Sequence, residues 1–110
     1  MNTGTATQGP RSNLRTIVIT LDSNGNPQVS SGDETAVISP KKNEEILWKS
    51  AHSFLIDFNG NSPFYEQQFS DKYAQSGLVR RDVVSSNSVF YKYNIIINGK
   101  TLDPRVGVDP

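Results

Sequence analysis

An all-β fold, an antiparallel Greek-key β-sandwich of seven to eight short strands, is what this sequence predicts, on three observations. Runs rich in Val, Ile, Phe, Tyr and Trp recur along the chain. Asn, Ser, Gly and Pro separate these runs roughly every 8–12 residues, the turn spacing of a sandwich. No long apolar stripe at the helical period is present.

The elements follow in order. Residues 1–13 are polar and Gly- and Thr-rich, which predicts a flexible tail ahead of one domain at 14–110. Residues 14–21, LRTIVITL, are β-branched and roughly alternating, so they predict a strand. Asp22 to Pro27 holds an Asn-Gly pair suited to a tight hairpin, with a short return strand at 28–30. Further strands are expected at 35–38, 45–49, 53–58 and 78–84, and a long one at 88–97. Asn98-Gly99 then turns the chain toward a last strand at 106–108.

One stretch, residues 59–77, breaks this pattern. Ser62-Pro63 has the form of a helix start, Tyr65, Phe69 and Tyr73 recur every four residues, and Gly77 would end the element. The expectation is one short helix or a long loop. On a helix, Tyr65, Phe69 and Tyr73 would pack on the sheets and leave Phe64, Glu66, Gln67 and Asp71 nearer solvent. A connection this long and this aromatic is a candidate binding loop, with Phe64, Tyr65, Gln67 and Tyr73 as its contact residues. The plainer alternative is a lid over one side of the core.

Composition narrows the function classes. The chain has 110 residues, with 11 Lys+Arg balanced by 11 Asp+Glu, one His, one Trp and no Cys. A neutral chain lacks the basic face that nucleic acid demands, and it has no polybasic membrane anchor. No apolar run approaches the roughly 20 residues of a membrane span, and the first thirteen residues lack the apolar core of a secretory signal. Without Cys there is no disulfide, thiolate nucleophile or zinc-thiolate site, and the compartment stays open.

Two segments together resemble the cupredoxin family, the blue-copper β-sandwiches. Residues 45–56, EILWKSAHSFLI, resemble that family's apolar strand, short turn and following strand opened by a His. Val89-Phe90-Tyr91-Lys92-Tyr93 resembles the aromatic strand before its Cys-containing ligand loop, and Val106-Gly107-Val108 its last strand. The resemblance implies a sandwich fold, and it puts His52 where the family keeps its first copper-ligating His. The site itself departs from the family. A blue-copper centre needs a thiolate and two imidazoles. Here Asn94, Ile95 and Ile96 follow Tyr93, there is no Cys and no second His, and the only Met is Met1. The expectation is a copper-free relative with no cofactor, in which His52 is a remnant ligand position.

Other chemistry is weaker. His52 with Asp57 or Glu66 would make an acid–base pair, but no nucleophile motif accompanies it. Residues 22–26, DSNGN, carry oxygen ligands in alternation but lack a calcium loop's length and closing Glu, so a hairpin turn explains them better. Trp48 shares a face with Ile46, which predicts burial; turned outward beside Tyr91 or Tyr93 it would offer a stacking surface for sugars. In residues 90–93 the tyrosines are expected to face in, because Lys92 resists burial. Lys41-Lys42 and Arg80-Arg81 are short basic doublets, the second expected to guard an edge strand. The sequence thus predicts a non-catalytic, metal-free binding or assembly module that meets a protein partner or a second copy. The alternative is a small carbohydrate- or ligand-binding sandwich that uses exposed aromatics.

Overall fold

The computed structural model describes residues 13–83 and 89–109. The expected tail lies outside these residues except for Asn13, which is already the first residue of a strand. Among the described residues ten short strands form: β1 (Asn13–Leu21), β2 (Pro27–Gln28), β3 (Thr35–Ile38), β4 (Glu44–Ser50), β5 (Leu55–Asp57), β6 (Gln68–Ser70), β7 (Val89–Lys92), β8 (Asn94–Ile97), β9 (Lys100–Leu102) and β10 (Arg105–Val108). They make three sheets, ordered β2-β1-β4, β3-β10-β7 and β6-β5-β8-β9. The fold is all-β, and among the described residues the only helical pieces are single 3-10 turns at Ser31–Glu34 and Pro40–Lys42.

Alternation works as the sequence implies. Ile17 and Ile19 of β1, Ile46 and Trp48 of β4, Ile95 and Ile97 of β8, and Val106 and Val108 of β10 all point into one core. Between them, Thr16, Val18 and Thr20 of β1 and Lys49 of β4 face solvent.

Three expectations are corrected. The sheets are not purely antiparallel: β1 pairs with β4 in parallel, and β3 with β10 likewise. The chain leaves the first sheet to form β3 in the second and comes back as β4, so β4 runs in the direction of β1. The long strand at 88–97 is two strands, with Ser88 outside the described residues. β7 pairs with β10 and β8 with β5, and the chain changes sheets at Tyr93, whose N–H donates to the Pro104 carbonyl at 3.1 Å. The strand expected at 78–84 reduces, over its described part, to an isolated bridge between Val79 and Phe64; Val84 lies outside the described residues. Among the described residues Arg80-Arg81 therefore lies on no edge strand.

The connection at 59–77 is not helical. Ser62 Oγ accepts the Phe64 N–H at 2.9 Å and Gln67 Oε1 accepts the Ser62 N–H at 3.0 Å, so Ser-Pro opens a closed turn. A helix this short is marginal on its own, and burial of Phe64 and Phe69 overrides the weak helical signal. Phe69 enters β6 opposite Ile56. Farther on, the chain lies along the free edge of β4. The Trp48 N–H donates to the Ala74 carbonyl at 3.0 Å, the Ser76 N–H to the Ile46 carbonyl at 2.8 Å, and the Ile46 N–H to Ser76 Oγ at 2.8 Å. An edge that would otherwise be open to another chain is thus closed.

Candidate functional site

Five aromatic rings make the centre of the molecule. Trp48 packs on Phe69 at 5.2 Å between ring centroids and meets Tyr93 edge-on at 5.7 Å, while Phe58 stacks on Tyr93 at 4.9 Å. Phe64 closes the cluster edge-on to Phe58 and Phe69, at 5.8 and 6.1 Å. The Trp48 indole N–H donates to the Tyr93 hydroxyl at 3.3 Å, which satisfies two buried polar atoms at once. Burial pushes the Tyr93 phenol far above the ordinary tyrosine range; the indole N–H pulls it back in part, and the Asp33 charge adds to the rise. Trp48 and Tyr93 are thus core residues, as their alternation predicts, and neither offers a surface to a sugar. Tyr91 is half-buried against the core while Phe90 and Lys92 face out, also as predicted.

The connection at 59–77 is built on this cluster, and it sorts its own aromatics by burial. Phe64 is completely buried and Phe69 is 2 % exposed, whereas Tyr65 and Tyr73 are 65 % and 61 % exposed. The expected stripe of Tyr65, Phe69 and Tyr73 packed on the sheets is therefore wrong, and so is a solvent-facing Phe64. Both follow from reading a helical period where the chain is a turn and a strand. Of the four candidate contact residues, Phe64 is an anchor, Gln67 is occupied in closing the turn onto Ser62, and Tyr65 and Tyr73 are displayed. The Tyr73 ring lies near-parallel to Phe69 at 6.1 Å. The Tyr65 hydroxyl oxygen accepts the Arg81 N–H at 3.4 Å.

Sequence reasoning missed the clamps that hold this connection in place. Arg80 donates from its backbone N–H to the Pro63 carbonyl at 2.8 Å and from Nη2 to the Ser62 carbonyl at 3.1 Å, and it pairs through Nη1 with Asp82 at 2.6 Å. Asp71 Oδ1 accepts the Phe54 N–H at 3.2 Å, and Gln75 Nε2 donates to the buried Glu45 carboxylate at 2.9 Å. An Arg-Arg-Asp triplet after a long loop was the available signal for the first of these.

A shallow, open groove of about 290 Å³ is lined by Leu47, Trp48, Lys49, Ser50, Phe54, Asp71 and Ala74. His52 sits exposed on the turn after β4, its backbone N–H donating to Ser50 Oγ at 3.1 Å. Among the described residues no hydrogen bond or ion pair joins its imidazole to Asp57 or Glu66, and no group of three or more His, Cys, Asp or Glu side chains is placed to hold a metal. At the first hairpin, Asp22 Oδ1 accepts the N–H groups of Asn24 and Asn26 at 2.8 and 2.9 Å. These bonds, the Asn26 one foremost, hold its carboxyl below the usual range. The carboxylate is thus spent on the turn, in accord with the hairpin reading. Compared with family models, curated proteins and solved structures, the chain matches none.

Proposed function

We propose that the chain is a non-catalytic, metal-free binding or assembly module, a β-sandwich of Greek-key, cupredoxin-like topology whose contact surface is carried by Tyr65 and Tyr73. The partner is a protein or a second copy of the chain. One observation supports the reading above others: adjacent or nearby aromatics of one connection are divided, Phe64 and Phe69 into the core and Tyr65 and Tyr73 to solvent. Large rigid side chains held out by an anchored loop are the material of contact surfaces, because a tyrosine adds contact area at low entropic cost. Support for the topology comes from the chain's exchanges between sheets. β3 leaves and β4 returns to the first sheet, and β8 and β9 leave before β10 rejoins β7.

A second reading, a carbohydrate-binding sandwich, is favoured by the displayed Tyr73 ring and by the groove that its chain neighbours Asp71 and Ala74 help to line. One face of that ring is backed by Phe69, and Lys49, Ser50 and Asp71 supply polar groups nearby. Sedimentation equilibrium on the intact chain separates the two readings. Self-association abolished by the double variant Tyr65→Ser/Tyr73→Ser, with thermal stability unchanged, supports assembly. A monomer that binds on a glycan array and loses the signal with Tyr73→Ser alone supports the sugar reading. A surface on which neither substitution alters any association removes the tyrosines from the contact.

A further inference from the structure

Asn-Gly occurs three times in the chain, at Asn24-Gly25, Asn59-Gly60 and Asn98-Gly99. In such a pair the unhindered glycine nitrogen attacks the asparagine Cγ. The new N–Cγ bond forms as the Cγ–Nδ2 bond breaks, and the glycine N–H proton leaves with the amide nitrogen as ammonia. Water then opens the five-membered imide at one carbonyl or the other. One product is aspartate; the other is isoaspartate, with the main chain rerouted through the side-chain carbon. The reaction needs only water.

The local sequence treats the three pairs alike, and the fold does not. We propose that Asn59 and Asn98 are sites of spontaneous isoaspartate formation in the folded protein and that the first hairpin shields Asn24. Attack requires a glycine nitrogen free of other bonds and a turn that opens easily.

At Asn24 neither condition holds. The Gly25 N–H donates to the Asp22 carbonyl at 3.0 Å, and the Asp22 N–H to the Asn26 carbonyl at 2.9 Å. The Asp22 carboxylate takes the N–H groups of Asn24 and Asn26, and Lys100 Nζ donates to the Asn24 carbonyl at 2.5 Å. The reacting nitrogen is occupied, and the loop around it is tied from both sides.

At the other two pairs both residues are exposed. Among the described residues the Gly60 and Gly99 N–H groups and the Asn59 and Asn98 side chains have no hydrogen-bond partner. No atom outside the immediate chain lies within 4 Å of where a Cβ on either glycine would stand. Asn59 and Asn98 also sit at φ of 53° and 51°, in the left-handed region that a residue with a Cβ occupies at some cost, so leaving the turn relieves strain. The Asn59 turn is closed by the Asn59 N–H to Asp57 Oδ1 and the Asn61 N–H to the Phe58 carbonyl. The Asn98 turn is closed by the pairing of Ile97 with Lys100. Neither set of bonds engages the attacking nitrogen. At residue 98 the product adds a negative charge and one main-chain carbon inside a two-residue turn. That change shifts the pairing of Ile97 with Lys100 and loosens the hold of Lys100 on Asn24.

The test is incubation of the intact chain at mildly alkaline pH, folded in one arm and urea-unfolded in the other. Isoaspartate is read at each site by peptide mass mapping and enzymatic methyl labelling. Unfolded, the three sites react at comparable rates. Folded, Asn59 and Asn98 react about tenfold or more faster than Asn24, because two ordinary hydrogen bonds must first open at the shielded pair. Asp22→Ala, on an exposed turn, brings the Asn24 rate up toward the other two. The proposal is overturned if folded Asn24 keeps pace with Asn59 and Asn98, if all three are silent together in the folded chain, or if Asp22→Ala leaves Asn24 unchanged.

Discussion

Phe64 and Tyr65 are neighbours in sequence, and truncating them should have opposite consequences. Phe64 is fully buried, with two edge-on aromatic contacts at 5.8 and 6.1 Å. Deleting a large buried aromatic side chain costs about 3–5 kcal/mol, the lost ring pairs included. A small domain has roughly 5–15 kcal/mol in all, so Phe64→Ala removes a large share of the stability. At about 4–8 °C per kcal/mol for a chain near this size, its melting temperature falls by roughly 12–40 °C. Tyr65→Ala removes a ring that is 65 % exposed, whose one hydrogen bond is 3.4 Å long. Its cost stays within about 0.5 kcal/mol.

Urea titration followed by Trp48 emission is the assay, because Trp48 packs on Phe69 and Phe69 on Phe64, so the probe reports the cluster directly. The slope with denaturant should be shared by wild type and both variants, so that shifts in midpoint report stability. Equal costs at the two positions, or a larger cost at Tyr65, would refute the division of this connection into anchor and display.

Two further outcomes follow from the core. The Tyr93 phenol is held above its unfolded range near pH 10 by burial, so its contribution is fully present below that pH and is lost above it, by about 1.4 kcal/mol per pH unit. Tyr93→Phe costs about 1 kcal/mol near neutrality through the bond from Trp48 and lacks the alkaline loss, so denaturant midpoints of the two proteins converge and then cross as pH rises; parallel curves would contradict this. At Gly107 an added Cβ would stand 2.9 Å from Phe90 Cε1 and 3.1 Å from Val37 Cγ2. Gly107→Ala therefore costs about 1–3 kcal/mol, toward the low end because the half-exposed Phe90 is able to swing away. Most of that cost vanishes in a Phe90→Ala background, and a cycle of the two substitutions that proves additive would show that the close approach is not felt.

What the sequence determined by itself is local and periodic. Ile17 and Ile19 alternate with the exposed Thr16, Val18 and Thr20, and Ile46 and Trp48 keep the same spacing of two along their strand, so the period puts each pair on one buried face. The Asn-Gly pairs mark turns because Gly25, Gly60 and Gly99 take the positive φ that other residues resist. The inward set of Tyr93 and, in part, Tyr91 follows from the cost of burying Lys92. What the tertiary structure decided is every relation between distant segments. The direction of β4 beside β1 depends on where the chain goes between them, and no run of residues in either strand encodes it. The run at 88–97, mostly β-branched and aromatic, reads as one strand. It serves two sheets because Pro104 and β10 claim the first half while β5 claims the second. Residues 59–77 show the same limit from the other side. Tyr65, Phe69 and Tyr73 keep a helical spacing, yet the unfilled space against Phe58 and Trp48 draws in Phe64 and Phe69 together, and burial of two phenylalanine rings outweighs the small propensity that a short helix would satisfy. The tyrosines are left outside by that competition, and so the displayed surface is a consequence of how the core was filled.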